Sequence, residues 1–349
     1  MEPAQGVGSL SAKTCGSCHR QIAEEWASTQ HGRATVDPLY AADLAHQGEP
    51  YFCDHCHAPL VEQRPLLVHG LWMPGTSPVV RSSPNPRHVP GLREEGVTCV
   101  VCHQRDGAML GPHESEGAPH PVRVTSELSD PEACQDCHSL DLDALGDLQR
   151  PLIDTLNEWK EYRQAGGDKV CVDCHMPLVP ERPLVVGGPP RPGRSHALLG
   201  PFNEDFVRSG VEMKGASIRR LGGGFEASLV LVNRTGHRLP TAEPHRRIEV
   251  VLAGTDEQGR PQGEVSARLE RIVDLDNLSE APGQDSSLKP REERAVQLKL
   301  TSPPATARTA ATLTVRFVLW EPTDPVAMAS GLSPDALVHV LARWILDPD

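Results

Sequence analysis

Apolar positions along the chain follow one rule up to about residue 200 and another beyond it. In the first part they are sparse and come in short stretches at helical spacing. Cys18 to Gln30 predicts a helix, with Ile22 and Trp26 four residues apart. Pro151 to Ala165 predicts the best one, with Pro at its start, Leu152, Leu156 and Trp159 on one face, and Gly166-Gly167 as a stop. The stretches 59–92, 104–133 and 177–201 are rich in Pro and Gly and predict irregular chain. In the second part Phe225 to Asn233 and Arg247 to Ala253 are rich in Val, Leu and Ile, while Glu264 to Val273, Glu293 to Leu300 and Thr312 to Trp320 alternate apolar and polar; all predict strands. Asp256 to Gly259 reads as a turn, and Leu337 to Leu346 as a last strand or a helix. Six or seven short strands over about 135 residues predict an immunoglobulin-like β-sandwich, without the Cys…Trp…Cys pattern of antibody domains. The fold class expected is therefore α+β: residues 1–212 of short helices and long loops, residues 213–349 a β-sandwich.

A length of 349 residues suits two such domains. The balance of 34 basic against 47 acidic side chains, a net −13, argues against a nucleic-acid binder or a polybasic membrane-surface protein. No stretch approaches the roughly 18 to 20 apolar residues of a transmembrane helix, and Met1 to Leu10 lacks the basic and apolar regions of a secretory signal. At 38% hydrophobic the chain is globular, yet 5 Trp, 3 Tyr and 5 Phe are few for a conventional interior.

The cysteines supply a reason. All 10 fall in C-x-x-C pairs, and each pair runs directly into histidine: Cys15, Cys18 and His19; Cys53, Cys56 and His57; Cys99, Cys102 and His103; Cys134, Cys137 and His138; Cys171, Cys174 and His175. Structural zinc and redox disulfides also use C-x-x-C, but neither needs the histidine. With 16 histidines in 349 residues, five such coincidences have a chance of about 10⁻⁷ to 10⁻⁶. C-x-x-C-H is the attachment signal of c-type haem: two thiols add across the two vinyl groups, and the imidazole becomes the proximal ligand of the iron. Five c-type haems are predicted, and five porphyrins would fill the interior that aromatic residues do not. Covalent haem attachment happens outside the bacterial cytoplasm, so the expected location is periplasmic or extracellular. The motifs stand 38, 46, 35 and 37 residues apart, too irregular for a solenoid, and all lie before residue 176.

A six-coordinate haem needs a second axial ligand. Eleven histidines remain: His31, His46, His55, His69, His88, His113, His120, His196, His237, His245 and His339. His31 follows the first motif's helix. His113 and His120 share a Pro-rich loop, of which His120 is preferred. His196 follows the last motif. His237 lies between two strands, where it can reach back toward a haem. For the fifth haem His46, His55, His69, His88 and His113 compete. Met176 directly follows His175, too close to reach over that haem, and is expected to pack.

Several flanking sequences resemble cytochrome c554-like multihaem proteins. These are Cys15-Gly-Ser-Cys-His19 with Trp26 and Ser28-Thr-Gln-His31, Cys56-His-Ala-Pro59, Glu95 to His103, and Cys174-His-Met-Pro177. Asn233-Arg-Thr-Gly-His-Arg-Leu-Pro-Thr241 resembles the segment opening the β region of extracellular multihaem cytochromes. Together these matches span most of residues 15–254. The resemblance implies electron transfer, bis-histidine ligation, and His31, His196 and His237 as distal ligands. Some similar proteins polymerise into conducting filaments. The pentahaem nitrite reductases differ, since they replace one motif histidine by lysine and all five motifs here end in His.

Three functions follow as expectations. The first is an electron carrier that meets redox partner proteins; its 28 arginines against 6 lysines offer partners for haem propionates. The second is a reductase of a small nitrogen or sulfur oxyanion at one haem with an open distal side, near His69, Arg81, Arg87 and His88. The third is a filament subunit that self-associates through its β domain.

Overall fold

The computed structural model describes residues 1–48, 51–72, 79–114, 117–142, 146–275, 277–301 and 309–347. The chain forms two compact units. The first comprises residues 1–137, 170–199 and 328–331, and the second residues 138–169, 200–327 and 332–349. The division falls inside the fourth motif, directly after Cys137. Residue 213 lies in the second unit, within a strand that starts at Val211.

Short helices joined by loops make up the first unit: Ala12–Gly16, Arg20–Ala27, Pro38–His46, Asp54–His57, Cys99–His103 and Cys171–His175. Local sequence explains their bounds. Asp37 caps Pro38–His46 by accepting the N–H groups of Leu39 at 3.0 Å and Tyr40 at 3.1 Å, with Pro38 at the first helical position. The Pro-rich stretches expected to be irregular carry small ribbons instead. Leu66–Trp72 pairs with Val79–Pro84, Ala108–Gly111 with Val122–Val124, and Leu178–Pro183 with Pro190–Arg194. In the first and third of these, proline is tolerated because every strand of a two-stranded ribbon is an edge; Ala108–Gly111 and Val122–Val124 share a three-stranded sheet with Gln104–Arg105 and hold no proline. Residues 73–78 of the first stretch lie outside the described residues.

The second unit carries the longest helix, Thr155–Gln164. It starts four residues later than the Pro151 signal predicts, since Ile153–Asp154 pairs with Ser139–Leu140 as a short ribbon. Seven strands follow, in two antiparallel sheets. One has the order Val211–Leu221, Gly224–Asn233, Glu293–Thr301; the other has the order Pro261–Glu270, Arg247–Thr255, Ala310–Val318, Val338–Leu346. Both contribute to one core in which Leu231, Ile248, Leu252 and Leu313 are fully buried. The mixed α+β class is thus observed. The last segment resolves as a helical turn, Pro334–Leu337, running into the seventh strand.

Arg247–Thr255 is central and buried on both faces, which is why it reads as an apolar run. Its one carboxylate, Glu249, is 1% exposed and lies cross-strand from Arg268 and Arg316. Burial pushes that carboxyl up, but the hydrogen bonds from Arg247 at 2.5 Å and Arg316 at 2.6 Å hold it below its ordinary range.

Leu313→Ala leaves a void in a core where Leu313 has no exposure, and it should cost about 3 kcal/mol. Denaturant unfolding followed by far-UV circular dichroism checks this. A loss below about 1 kcal/mol would mean that the two sheets repack freely.

Candidate functional site

Each C-x-x-C-H motif is one helical turn. Four of the five histidines close a helix or turn that starts at or beside the first cysteine, and His19 sits between Ala12–Gly16 and Arg20–Ala27 with its N–H donated to the Cys15 carbonyl at 2.8 Å. In a helix, positions i, i+3 and i+4 share a face. Both thiols and the imidazole of a motif therefore point the same way, as a group bonded to all three requires.

The imidazoles are held in one tautomer. Nδ1 of His19 hydrogen bonds the Leu184 carbonyl at 2.7 Å, His57 that of Ala34 at 2.8 Å, His103 that of Leu110 at 2.9 Å and His175 that of Leu199 at 2.5 Å. A carbonyl only accepts, so Nδ1 carries the proton and Nε2 keeps its lone pair. Neutral imidazole is the form that binds metal. Burial holds His103 below the usual histidine range.

Opposite two of these rings the structure sets a second imidazole. The His19 and His120 ring centres are 6.5 Å apart, and those of His103 and His196 are 6.1 Å apart. Two imidazoles on opposite sides of one metal, each with nitrogen about 2.0 Å from it, have ring centres roughly 6 Å apart. Both separations thus leave the span of one iron. Nδ1 of His196 faces the Arg194 carbonyl at 3.1 Å; burial first, and His103 next, pull this imidazole down to about 4. His31 is lowered by burial and then by the neighbouring His175 and His57 rings, so it stands near both motif histidines. His237 belongs to the second unit, as does His138; its Nδ1 hydrogen bonds the Arg238 carbonyl at 2.7 Å and burial lowers it.

Other candidates stand elsewhere. Nε2 of His113 is directed at the Pro192 carbonyl at 3.4 Å, and Nε2 of His69 at Ser83 Oγ at 2.6 Å. His46 and His55 are exposed, and His88 is half-buried. His245 stacks on Trp320 at 3.6 Å, and His339 bonds the Pro201 carbonyl at 2.8 Å. Against His57 lies Tyr40, its ring parallel at 3.9 Å.

The cysteines bring the motifs of the first unit together. Cys15 hydrogen bonds Cys99, which pulls Cys15 down to about 7 and pushes Cys99 up. Cys134 and Cys171 form a similar pair, and Cys137 pairs with Cys56, whose Sγ lies 4.0 Å from the Cys137 carbonyl. Cys102 stands near Cys137 and Cys134. The first motif thus abuts the third, and the fourth abuts the second, third and fifth.

Residues that sequence reading missed hold this frame. Glu25 accepts two hydrogen bonds from Arg182, at 2.9 and 3.1 Å, and the His196 backbone N–H at 2.8 Å. Its only trace in the sequence is its place six residues after His19, beside Trp26. The carbonyl acceptors of Ala34, Leu110, Leu184 and Leu199 leave no side-chain signal at all. Arginines expected to face propionates are in several cases paired within the protein, as in Arg93 with Asp54 at 2.7 Å.

The residues fit haem. The donor set is two thiols and an imidazole per motif, with Nε2 left free by the Nδ1 hydrogen bond in four of the five. The first unit also leaves apolar side chains uncovered beside the motifs, such as Phe52 at 51% and Leu178 at 61% exposure, and Arg182 Nε is buried without a hydrogen-bond partner among the described residues.

No protein-family model matches the chain, and no curated protein matches it. Among solved structures it is similar to a penta-heme cytochrome c552 from Thermochromatium tepidum, with a TM-score of 0.67, 17% identity, and coverage of 98% of this chain and 99% of that one. The chain therefore shares its fold with a multihaem c-type cytochrome.

Glu25→Ala should destabilise by about 2–3 kcal/mol, because it leaves a buried guanidinium unpaired, tempered by the 26% exposure of Glu25. Glu25→Gln keeps an acceptor for the His196 N–H and should fall between the two in denaturant midpoint. Coinciding midpoints for all three proteins would refute the ion pair's role.

Proposed function

We propose that this chain is a multihaem c-type cytochrome that carries electrons through five covalent haems, one at each C-x-x-C-H motif. The observation that carries the reading is the pair of imidazole separations, 6.5 and 6.1 Å, each across the span of one iron. The fold shared with a penta-heme cytochrome c552 supports it. Bound haem supplies an iron that takes up and releases one electron. The chain's own part is to attach, orient and enclose. The cysteines fix five positions, backbone carbonyls set the tautomer of the proximal histidines, and the contacts between motifs keep all five contiguous. On this reading His120 faces His19, His196 faces His103, and His237 is a further distal ligand. His31 serves the haem of His175 or that of His57.

The finer identity goes with this reading: a c554-like cytochrome, periplasmic or extracellular, meeting redox partner proteins, with an immunoglobulin-like sandwich as its second part. No helix among the described residues is long and apolar enough to cross a membrane. Self-association into a filament through the β-rich unit belongs to the same proposal, and negative-stain images at high concentration test it: only monomers would count against it.

One observation favours a second reading. His31 stands near both His175 and His57, and one imidazole cannot serve two irons. An iron left with an open side would suit a reductase of a small nitrogen or sulfur oxyanion.

Protein matured with a cytochrome c assembly system should carry five haems by intact mass. Low-temperature EPR of the oxidised protein, quantified against total haem, separates the readings. Five low-spin irons support the conduit, whereas about one high-spin iron in five supports the reductase, with nitrite, hydroxylamine and sulfite then tested as ligands. His196→Ala should convert one low-spin iron to high-spin; an unchanged spectrum would remove His196 from the ligand set.

A further inference from the structure

The position of His120 has an unusual source. Nδ1 is bonded to a backbone carbonyl in His19, His57, His103, His175, His196 and His237. In His120 it is buried with no hydrogen-bond partner among the described residues. The direction of this ring is therefore set by its backbone.

That backbone is clamped on both sides. Downstream, the Pro121 carbonyl accepts the Met109 N–H at 3.1 Å, and Val122 joins the ribbon with Met109. Upstream, the Ala4–Val7 turn, closed by Val7 N–H to the Ala4 carbonyl at 2.9 Å, presses on Pro119. Gly6 sits at φ +78°, a conformation that side chains resist, and a Cβ there would lie 1.7 Å from the Pro119 carbonyl oxygen and 3.1 Å from His120 Cα. Gln104, 2% exposed, ties the turn down: its Oε1 accepts the Ala4 N–H at 3.0 Å and its Nε2 donates to the Glu2 carbonyl at 2.6 Å.

We infer that Gly6 is a positioning residue for His120, through which the turn of residues 4–7 sets the distance of His120 from the iron of the first motif. The inference rests on the reading of His120 as that iron's distal ligand. A Cβ at 1.7 Å from a backbone oxygen forces the turn and the Pro119 carbonyl apart; because Gln104 holds the turn, the Pro119–His120 backbone takes up the shift, and a metal–imidazole bond of about 2.0 Å has little room to follow it.

The test compares oxidised, haem-loaded wild type, Gly6→Ala and His120→Ala by low-temperature EPR and by redox titration. His120→Ala should abolish one low-spin signal. Gly6→Ala should lose at least half of that same signal and shift the midpoint of that haem alone, and added imidazole should restore low spin in both variants. If Gly6→Ala does not accumulate, Gln104→Leu, which releases the turn and keeps the glycine, should weaken the same signal and leave that of the third motif intact. An unchanged spectrum in His120→Ala would overturn the ligand reading and the inference with it. Loss of the signal in His120→Ala, with Gly6→Ala merely less heat-stable and spectroscopically unchanged, would overturn the inference alone. In the Gln104→Leu arm, a change confined to the third motif's signal would also overturn it.

Discussion

An imidazole binds iron only through a nitrogen with a free lone pair, and it binds firmly only if that nitrogen is already aimed. The hydrogen bond from Nδ1 of a motif histidine to a backbone carbonyl meets both conditions at once, and much of the first unit exists to supply it. The acceptors of His19 and His57 lie 165 and 23 residues from their histidines, and that of His175 lies 24 residues away. Each of these three bonds is a tertiary contact, whereas His103 uses Leu110, seven residues further on in the same hairpin. The helical turn brings thiols and imidazole to one face locally, while the carbonyl that fixes the ring comes from elsewhere in the unit.

The two units satisfy their interiors differently. In the second, seven strands bury Leu231, Ile248, Leu252 and Leu313 completely, and the buried charge of Glu249, on the opposite face of its strand from Ile248 and Leu252, is matched by guanidiniums on the neighbouring strands. Such a core needs nothing but side chains. In the first unit Leu10, Leu60, Leu92 and Val100 form a small cluster, while Phe52 and Leu178 beside the motifs remain exposed. A chain that commits so many residues to short turns and Pro-rich loops would gain its burial from the porphyrins proposed for it.

This contrast explains what the sequence could say. The motifs were fully legible, because covalent chemistry demands fixed spacing. Five of the seven strands of the second unit were legible as strands too, since a self-sufficient core imposes a period, and Leu337–Leu346 was legible only as a strand or a helix. The first strand, Val211–Leu221, was not: its register shifts between Lys214 and Ser217, which breaks the alternation, and its exposed face carries Ser217 and Arg219. The small ribbons were hidden by the prolines that edge strands tolerate. Distal histidines were legible only as a surplus. What separates His120 from His113 is the direction of a ring, given by Gly6, Pro119 and Gln104, and no local pattern around either histidine encodes it.

Contiguity ties these observations to electron transfer. Order along the chain is not order in space: the first motif abuts the third, and the fourth meets the second, third and fifth. With a haem on each motif, that adjacency is a branched network with the fourth motif at its node. A linear row of five would be cut by the loss of any inner member. Of the four contacts described, the fourth motif takes part in three, so its loss would cut more of the network than the loss of any other motif.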